Sequence, residues 1–369
     1  MPAGRPGRPG TTTRTQFNLG RALPFLALIL TLLADVITPD RERFDRLLAA
    51  APALAAVTWS VRGTIGIGLL AMATRVLLGF FREDALTTDL LASETVLAVV
   101  TAAAAWASRV RTRYERDLRE LTDVAEVVQR VLLRPLPARL GRFDLHLLYV
   151  AAAAKARIGG DFYEAVRVPG AVRIMLGDVQ GKGLGAVETA SVLLGSFRAA
   201  VSDAPDLAAL ADRLDEGLAR YGAWDPDSDA AERFATVVLA ELPDDEDVAR
   251  LLSCGHPAPL LQRGAEVEPV HFAAPSLPVN LAGLSDSRHR IEEVPFGPGD
   301  RLLLYTDGVS ETRDRAGTFY PLELRLRGWA REPAQELPAL LHKDLIHYGA
   351  DGVDDDVAAL LVVHPPEPR

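Results

Sequence analysis

The sequence predicts an α+β fold, with antiparallel β-sheets and external helices, that follows an N-terminal module of apolar helices. Two observations predict this architecture. From Phe143 onward, short apolar runs are separated by turn residues, and the predicted strands and helices cluster along the chain instead of alternating. Residues 22–108 are strongly apolar, although the whole chain has an ordinary 49% hydrophobic and 24% charged residues.

Composition narrows the classes of function. The 369 residues carry a net charge of −10, so we do not expect nucleic acid as a partner. Cys254 is the one cysteine in the sequence, which excludes an intramolecular disulfide. A chain without disulfides suits a catalytic domain in the cytoplasm.

The first 108 residues predict a membrane module behind a short basic tail. Residues 1–21 combine four arginines with glycine, proline and threonine, a composition that is typical of disorder. A transmembrane helix needs about 20 apolar residues. Four apolar stretches in residues 22–108 are candidates for such helices: Ala22–Thr38, Leu47–Ser60, Gly63–Phe81 and Leu90–Ser108.

Charged residues around these stretches predict the topology. The second stretch is short and follows Asp45 and Arg46, so a re-entrant or interfacial segment is an alternative there. A cleaved signal peptide is the weaker alternative for the first stretch, which has no clear cleavage site. Arginines lie in the tail and again after Ser108, which places both flanks in the cytoplasm and requires an even number of spans. We expect about four spans, with two as the alternative, in a bacterial cell membrane with lipid as a partner.

A charged helix is predicted to connect the membrane module to the rest of the chain, within residues 109–137. Residues 109–133 contain neither glycine nor proline, and the prolines of Arg134–Pro137 end the helix. Apolar residues at spacings of four and three form a heptad seam. The seam consists of Tyr114, Leu118, Leu121, Ala125, Val128 and Leu132. It indicates either a homodimeric coiled coil through residues 114–132, which carries a signal from the membrane, or an amphipathic helix packed on its own domain.

Residues 138–365 are expected to form the catalytic domain. Apolar runs bounded by turn residues predict the strands Leu145–Val150, Phe162–Val168, Val172–Asp178, Phe234–Leu242, Val248–Ser253, Arg301–Thr306 and Val357–Val363. Helical spacing predicts the helices Gly185–Val201, Leu207–Tyr221, Leu322–Trp329 and Ala334–His347.

Four aspartates recur where predicted strands begin or end: Asp161, Asp178, Asp307 and Asp355. Glycine accompanies the first three and lets the backbone approach a bound ion closely. Carboxylates at strand ends, without a cluster of histidine or cysteine, form a hard oxygen site that suits Mg²⁺ or Mn²⁺ and not Zn²⁺. A single Asp-Gly pair is usually only a turn. The prediction therefore depends on the ordered set of four, whose charges would repel one another strongly without cations.

Three motifs resemble those of other enzyme classes and are set aside. Gly159–Glu164 matches the signature of diguanylate cyclases only at its first three residues. Gly177–Gly183 is not a phosphate-binding P-loop, because its glycines are too close together and a glycine replaces the Ser/Thr that would bind magnesium. Cys254 lies in an apolar strand before a turn, which favours a buried structural cysteine over a nucleophile.

Residues 128–363 resemble the PPM (PP2C-like) serine/threonine phosphatases of the bacterial SpoIIE/RsbU type. The segments that carry the resemblance are Val128–Pro137, Gly159–Glu164, Gly177–Gly183, Phe234–Thr236, Gly255–Pro257, Gly299–Glu311 and Asp355–Val357. The membrane segment is not part of the resemblance. Glu164 stands where the family often has aspartate, and Ser253-Cys254 where Asn-Ala is common, but neither departure removes an expected metal ligand.

The resemblance implies an α-β-β-α sandwich of antiparallel sheets with two Mn²⁺ or Mg²⁺ ions at one edge. It implies that Asp178 bridges both ions, that the carbonyl of Val179 contacts one of them, and that Asp307 and Asp355 hold the other. Asp161 would act through a water molecule or at an additional, third metal. The implied reaction is the hydrolysis of phosphoserine or phosphothreonine in a protein, with Asp178 and Asp307 as the catalytic residues.

Analogy with this family points to a phosphorylated anti-anti-sigma (STAS) protein as the substrate in bacterial signalling. Arg157 and Lys182 lie close in sequence to expected metal ligands. Two interpretations of these residues are open: they contact the phosphate of the substrate or, more ordinarily, they are solvated surface charges. The alternative function is a catalytically silent membrane receptor whose phosphatase-like domain binds a partner. Retention of all four aspartates argues against that alternative.

Overall fold

Two compact units, Met1–Glu120 and Leu121–Arg369, make up the computed structural model of the chain. The structure describes residues 11–37, 45–81, 88–151, 159–224, 232–284, 289–350, 352 and 355–366. Each unit has a hydrophobic core of its own.

The N-terminal unit is entirely helical in the part that is described. Its helices are α1 (Thr11–Ile37), α2 (Ala50–Thr58), α3 (Val61–Phe81) and the first part of α4 (Thr88–Leu132), with a short 3-10 helix at Asp45–Ala49. Among the described residues, two helical segments are long and apolar enough to cross a membrane, Val61–Phe80 and Leu90–Asp117. They coincide with the third and fourth predicted spans, whereas Arg21–Ala34 and Leu47–Thr58 are shorter apolar helices.

Helix α4 joins the fourth apolar stretch and the predicted connecting helix in one element of 45 residues. It ends at Leu132, shortly before Pro135, as the prolines predict. The side chains of Leu118, Leu121, Ala125 and Val128 lie outside the described residues. The homodimer through residues 114–132 therefore stays a prediction.

The second unit contains two antiparallel sheets. One sheet has the strand order β1 (Arg139–Leu140), β2 (Phe143–Val150), β11 (Val357–Val363), β10 (Arg301–Tyr305), β7 (Leu260–Arg263) and β8 (Glu266–Pro269). The other has the order β3 (Phe162–Val168), β4 (Ala171–Val179), β5 (Ala235–Pro243), β6 (Val248–Cys254) and β9 (Glu292–Pro295). We call them the β11 sheet and the β4 sheet.

The side chains of strand β11 show how the layers stack. Successive residues of a strand point to opposite faces of its sheet. Ala358, Leu360 and Val362 belong to the core shared with the β4 sheet, while Val357, Ala359, Leu361 and Val363 belong to a second core. That second core includes Leu322, Leu326, Leu337, Leu341 and Leu345 from helices. The continuous apolar run in β11 therefore arises because both of its faces are buried.

Helices cover the outer faces of both sheets. They are α5 (Leu184–Ala200), α6 (Leu207–Trp224), α7 (Asp307–Ser310), α8 (Leu322–Gly328) and α9 (Leu337–Tyr348). Helices α5 and α6 pack on the β4 sheet, and α8 and α9 pack on the β11 sheet. The predicted α-β-β-α sandwich of antiparallel sheets is confirmed, and the seven predicted strands are present to within two residues. Four short strands, β1, β7, β8 and β9, were not predicted.

Candidate metal centre

Asp161 and Asp178 lie side by side at one end of the β4 sheet. Strand β3 begins directly after Asp161, and β4 contains Asp178 near its end. The two strands are antiparallel with Phe162 opposite Gly177, so the start of β3 adjoins the end of β4. A Cβ atom at Gly160 would lie 2.5 Å from the carbonyl oxygen of Val179 and 2.8 Å from Oδ1 of Asp178. Glycine is therefore required for this close approach of the two strand ends.

Asp307 and Asp355 lie at the corresponding end of the β11 sheet. Asp307 is the first residue of α7, just after β10, and Asp355 lies two residues before β11. The antiparallel pair places Tyr305 opposite Ala359, which brings the end of β10 next to the start of β11. A Cβ atom at Gly308 would lie 1.8 Å from the carbonyl oxygen of Asp356, so glycine is required here as well.

The two sheet ends meet, and this brings the four predicted aspartates to one edge of the sandwich. The hydroxyl of Thr306, between β10 and α7, donates a hydrogen bond of 2.7 Å to Oδ2 of Asp161 in the other sheet. A Cβ atom at Gly159 would lie 0.8 Å from Oδ2 of Asp356, so the loop before β3 lies directly against the loop before β11. The carbonyl of Val179 faces the same region, beside Gly160.

Burial and mutual repulsion raise the pKa values of three of these carboxyl groups. Burial raises the pKa of Asp178 to about 7, and the charges of Asp307 and Asp355 add to this effect. The pKa of Asp161 is raised well above its usual range by burial and by the charge of Asp178, although the hydrogen bond from Thr306 opposes this. Burial and the charges of Glu311 and Asp355 raise the pKa of Asp307. The edge thus concentrates negative charge that a cation would stabilise.

One cation within the protein already contacts this acidic edge. Lys182 lies between Gly181 and Gly183, whose φ angles of 88° and 93° fall in the left-handed region that favours glycine. Its Nζ is 2.5 Å from Oδ1 of Asp355. The side chain of Lys182 thus forms a partly exposed ion pair at the predicted site, and both interpretations of Lys182, a contact with the phosphate or surface charge, stay predictions. Arg157 lies outside the described residues.

The donors at this edge fit Mn²⁺ or Mg²⁺ by type. Carboxylates and a backbone carbonyl are the oxygen ligands that these hard cations prefer. Within the described ranges, no three side chains of His, Cys, Asp or Glu already stand in an arrangement that would hold one ion. The carboxyl groups are nevertheless close enough to raise one another's pKa values, and an ammonium group occupies one of them. Asp178, Asp307, Asp355 and the carbonyl of Val179 could therefore hold a divalent cation, which would neutralise the negative charge gathered at this edge.

Comparison with a protein family settles the relationship of this chain. The family model for Stage II sporulation protein E (SpoIIE) matches residues 169–365, which is more than half of the 369 residues. The chain belongs to the SpoIIE family.

Solved structures show that this SpoIIE-family domain has the PP2C fold. The SiaA-PP2C domain of Pseudomonas aeruginosa is 21% identical, with a TM-score of 0.56, and the match covers 67% of this chain and 97% of that domain. The RsbU and RsbW domains of a Mycobacterium tuberculosis protein match with 24% identity and a TM-score of 0.50. That match covers 61% of each chain, so the SpoIIE-family chain spans about three fifths of that structure.

His256 is a residue of this SpoIIE-family site to which the sequence assigned no role, although Gly255–Pro257 is among its family motifs. Its side chain is buried and contacts both sheets near the aspartates. Nδ1 is 3.0 Å from Oγ1 of Thr236 in β5, and Nε2 is 3.0 Å from the carbonyl oxygen of Tyr305 in β10. Burial lowers the pKa of His256 to about 4, so the ring is neutral near pH 7.

Thr306 belongs to the SpoIIE-family site, and Cys254 lies in strand β6. Thr306 was expected only as the last residue of a strand, but its hydroxyl accepts the N–H of Ala358 at 3.0 Å while it donates to Asp161. A threonine hydroxyl can do both, which a sequence pattern does not reveal. Cys254 is fully buried, and burial raises the pKa of its thiol to about 12. The prediction of a structural cysteine is confirmed.

Proposed function

We propose that this chain is a membrane-anchored, metal-dependent protein serine/threonine phosphatase. Its C-terminal unit is a PP2C-like domain of the SpoIIE family. The observation that carries the proposal is the convergence of Asp161, Asp178, Asp307 and Asp355 at one edge of the sandwich, where burial and repulsion raise the pKa values of three of them. Such a cluster stabilises the fold poorly without cations and binds them strongly.

Under this proposal, the residues at this edge would bind two Mn²⁺ or Mg²⁺ ions. Asp178, Asp307 and Asp355, together with the carbonyl of Val179, would hold these ions. Asp161 would act through a water molecule or at a third ion, because its Oδ2 already accepts the hydrogen bond from Thr306. When bound, the two ions supply Lewis-acid activation of water and neutralise charge on the phosphoryl oxygens.

Lys182 has a role in substrate binding under this proposal. Its ammonium group pairs with Asp355. This contact places the ammonium group at the same edge as the proposed metal ligands. A phosphate oxygen is the strong acceptor that an ammonium group binds there. Lys182 would thus orient the phosphate of the substrate at this edge.

A bacterial cell membrane is the proposed location, with the catalytic domain in the cytoplasm. Val61–Phe80 and Leu90–Asp117 have the length and composition of membrane spans. Eight large apolar side chains in these two segments are more than half exposed: Leu69, Leu77, Phe80, Leu91, Val96, Val99, Trp106 and Tyr114. Apolar surface of this extent is unfavourable in water and favourable against lipid. Extraction from cell membranes by detergent but not by alkaline carbonate would support this location, and extraction by carbonate alone would contradict it.

The proposed substrate is a phosphorylated anti-anti-sigma (STAS) protein. The proposal rests on analogy with the SpoIIE/RsbU type of phosphatase, to whose family the domain belongs. A homodimer through residues 114–132 would give the membrane module a route to the catalytic domain. Partner identity and the dimer are proposals, as is the alternative of a silent receptor that binds the phosphoprotein without hydrolysing it.

A turnover assay on the full-length chain in detergent micelles tests the enzyme. We expect phosphate release from a phosphorylated STAS protein that depends on Mn²⁺ and that Asp178→Asn abolishes. Asp203→Asn is the matched control, because Asp203 is an exposed aspartate in the turn between α5 and α6. Undiminished turnover in Asp178→Asn would refute the role of this edge. Binding of the phosphoprotein without phosphate release by the wild type would favour the silent receptor.

A further inference from the structure

We propose that His256 is a positioning residue that holds the strand carrying Asp178 at a fixed distance from the strand that ends before Asp307. This inference rests on the proposed function, since it assigns to His256 the spacing between the metal ligands of the two sheets. His256 itself is not a proposed ligand, because both of its ring nitrogens are already engaged within the protein.

The first contact reaches β5, the strand paired with that of Asp178. Thr236 in β5 is the direct cross-strand partner of Asp178 in β4. The hydroxyl of Thr236 lies 3.0 Å from Nδ1 of His256. A neutral imidazole has one donor and one acceptor nitrogen. Because Nε2 faces a carbonyl oxygen, which can only accept, Nε2 carries the proton and Nδ1 accepts the hydrogen bond from Thr236.

The second contact reaches the strand that precedes Asp307. Nε2 of His256 donates to the carbonyl oxygen of Tyr305 at 3.0 Å. Tyr305 is the last residue of β10, two residues before Asp307. The next residue, Thr306, donates to Asp161 and accepts from the N–H of Ala358. One imidazole ring thus connects the β4 sheet to the segment that carries Asp307.

Hydrogen bonds also hold the backbone of His256 in place. The hydroxyl of Ser253 accepts the backbone N–H of His256 at 3.2 Å and donates to its carbonyl oxygen at 3.0 Å. Gly255 has a φ angle of 67°, and a Cβ atom there would lie 2.7 Å from the ring of Pro278. The backbone before His256 therefore needs glycine, and it fixes the direction in which the imidazole points.

The spacing between the sheets matters because the proposed site uses ligands from both. Two ions in a hydrolytic centre lie about 3.5–4 Å apart, so their ligands tolerate little displacement. Loss of the groups that orient metal ligands typically weakens metal binding by about 10–100-fold. Thr236 and His256 occupy this supporting position for Asp178 and Asp307.

Affinity for Mn²⁺ in four variants of the full-length chain tests the inference. His256→Ala removes the bridge, Thr236→Val removes its hydroxyl with little change in shape, and Thr236→Ser keeps the hydroxyl. The matched control is His364→Ala, since His364 is equally buried and bonds the carbonyl of Phe296 at 3.1 Å. Binding of Mn²⁺ alone is measured by titration calorimetry, and turnover is measured as a function of the Mn²⁺ concentration.

We expect His256→Ala and Thr236→Val to weaken Mn²⁺ binding by about tenfold or more, and turnover to recover at high Mn²⁺. Thr236→Ser should retain most of the affinity. His364→Ala should lose thermal stability but keep the affinity of the wild type. Wild-type affinity in Thr236→Val, or equal loss in His364→Ala, would overturn the inference while leaving the proposed function intact. A wild-type chain that binds no Mn²⁺ would overturn the proposed function, and the inference with it.

Discussion

Replacement of Asp178 by asparagine should stabilise the metal-free protein and at the same time remove its response to Mn²⁺. Asparagine keeps the size and the acceptor oxygen of the side chain but carries no charge. In the wild type without cations, the ionised carboxylate lies in a buried place beside Asp307 and Asp355. The substitution removes that repulsion, so an inactivating change should raise the free energy of unfolding.

The magnitude follows from the pKa of Asp178, which burial and its acidic neighbours raise from 3.8 to about 7. Between these values the folded state retains a proton that the unfolded state has lost, so stability is fully present below the lower value and falls as the pH rises to the higher one. A difference of about 3 between the two pKa values corresponds to about 4 kcal/mol above pH 7. At pH 5, less than half of the interval between the two pKa values has been crossed. The ionised carboxylate of Asp178 then destabilises the folded wild type by about 2 kcal/mol.

The assay is denaturant unfolding of the EDTA-treated full-length chain at pH 5 and pH 8. Tryptophan fluorescence follows the unfolding, and Trp329, which packs against the core under α8 and α9, contributes the signal from the interior of the catalytic unit. Asp178→Asn should exceed the wild type by about 4 kcal/mol at pH 8 and by about 2 kcal/mol at pH 5. The exposed variant Asp203→Asn should match the wild type at both pH values.

Saturating Mn²⁺ should reverse the order at pH 8. A ligand that binds only the folded state stabilises it by mass action, and the wild type should gain this stabilisation while Asp178→Asn does not. The reasoning would be refuted if Asp178→Asn were no more stable than the wild type in EDTA at pH 8. A gain of equal size at pH 5 and pH 8 would refute it as well, because the origin would then not be the carboxylate charge.

Two other substitutions test separate parts of the site, and one labelling experiment tests the burial of Cys254. Lys182→Met should tighten Mn²⁺ binding about two- to fivefold, because Mn²⁺ then no longer competes with the ammonium group for Asp355 and this half-exposed ion pair is worth at most about 1 kcal/mol. Titration calorimetry measures the affinity. The control variant Lys343→Met should bind Mn²⁺ as the wild type does. Gly160→Ala brings a methyl group within 2.5 Å of the carbonyl oxygen proposed to contact one ion, and should reduce Mn²⁺-dependent turnover at least tenfold. Cys254 should resist thiol reagents in the native protein at pH 8 and react fully in denaturant, because its thiol is fully buried and has a pKa of about 12. Rapid labelling of Cys254 in the native protein would contradict its buried place in β6.

Much of the fold could be predicted because the buried strands have a strong local pattern. Strand β11 is apolar at every position, and β4 is nearly so, as strands must be when both faces are covered. The short strands β8 and β9 escaped prediction because glutamate and proline dominate their sequences. They lie at the ends of their sheets, where one edge stays unpaired and polar side chains are tolerated.

The sequence by itself determined that acidic residues lie at the ends of strands, because a strand with two buried faces can carry charged residues only where it begins or ends. It did not determine how those ends meet. The register that sets Asp178 opposite Thr236, and the ring of His256 between Thr236 and Tyr305, join segments far apart along the chain. Lys182 likewise meets Asp355 only after the two sheets have packed. Such contacts depend on sheet packing and strand register, which local propensity does not encode, and only the tertiary structure decides them.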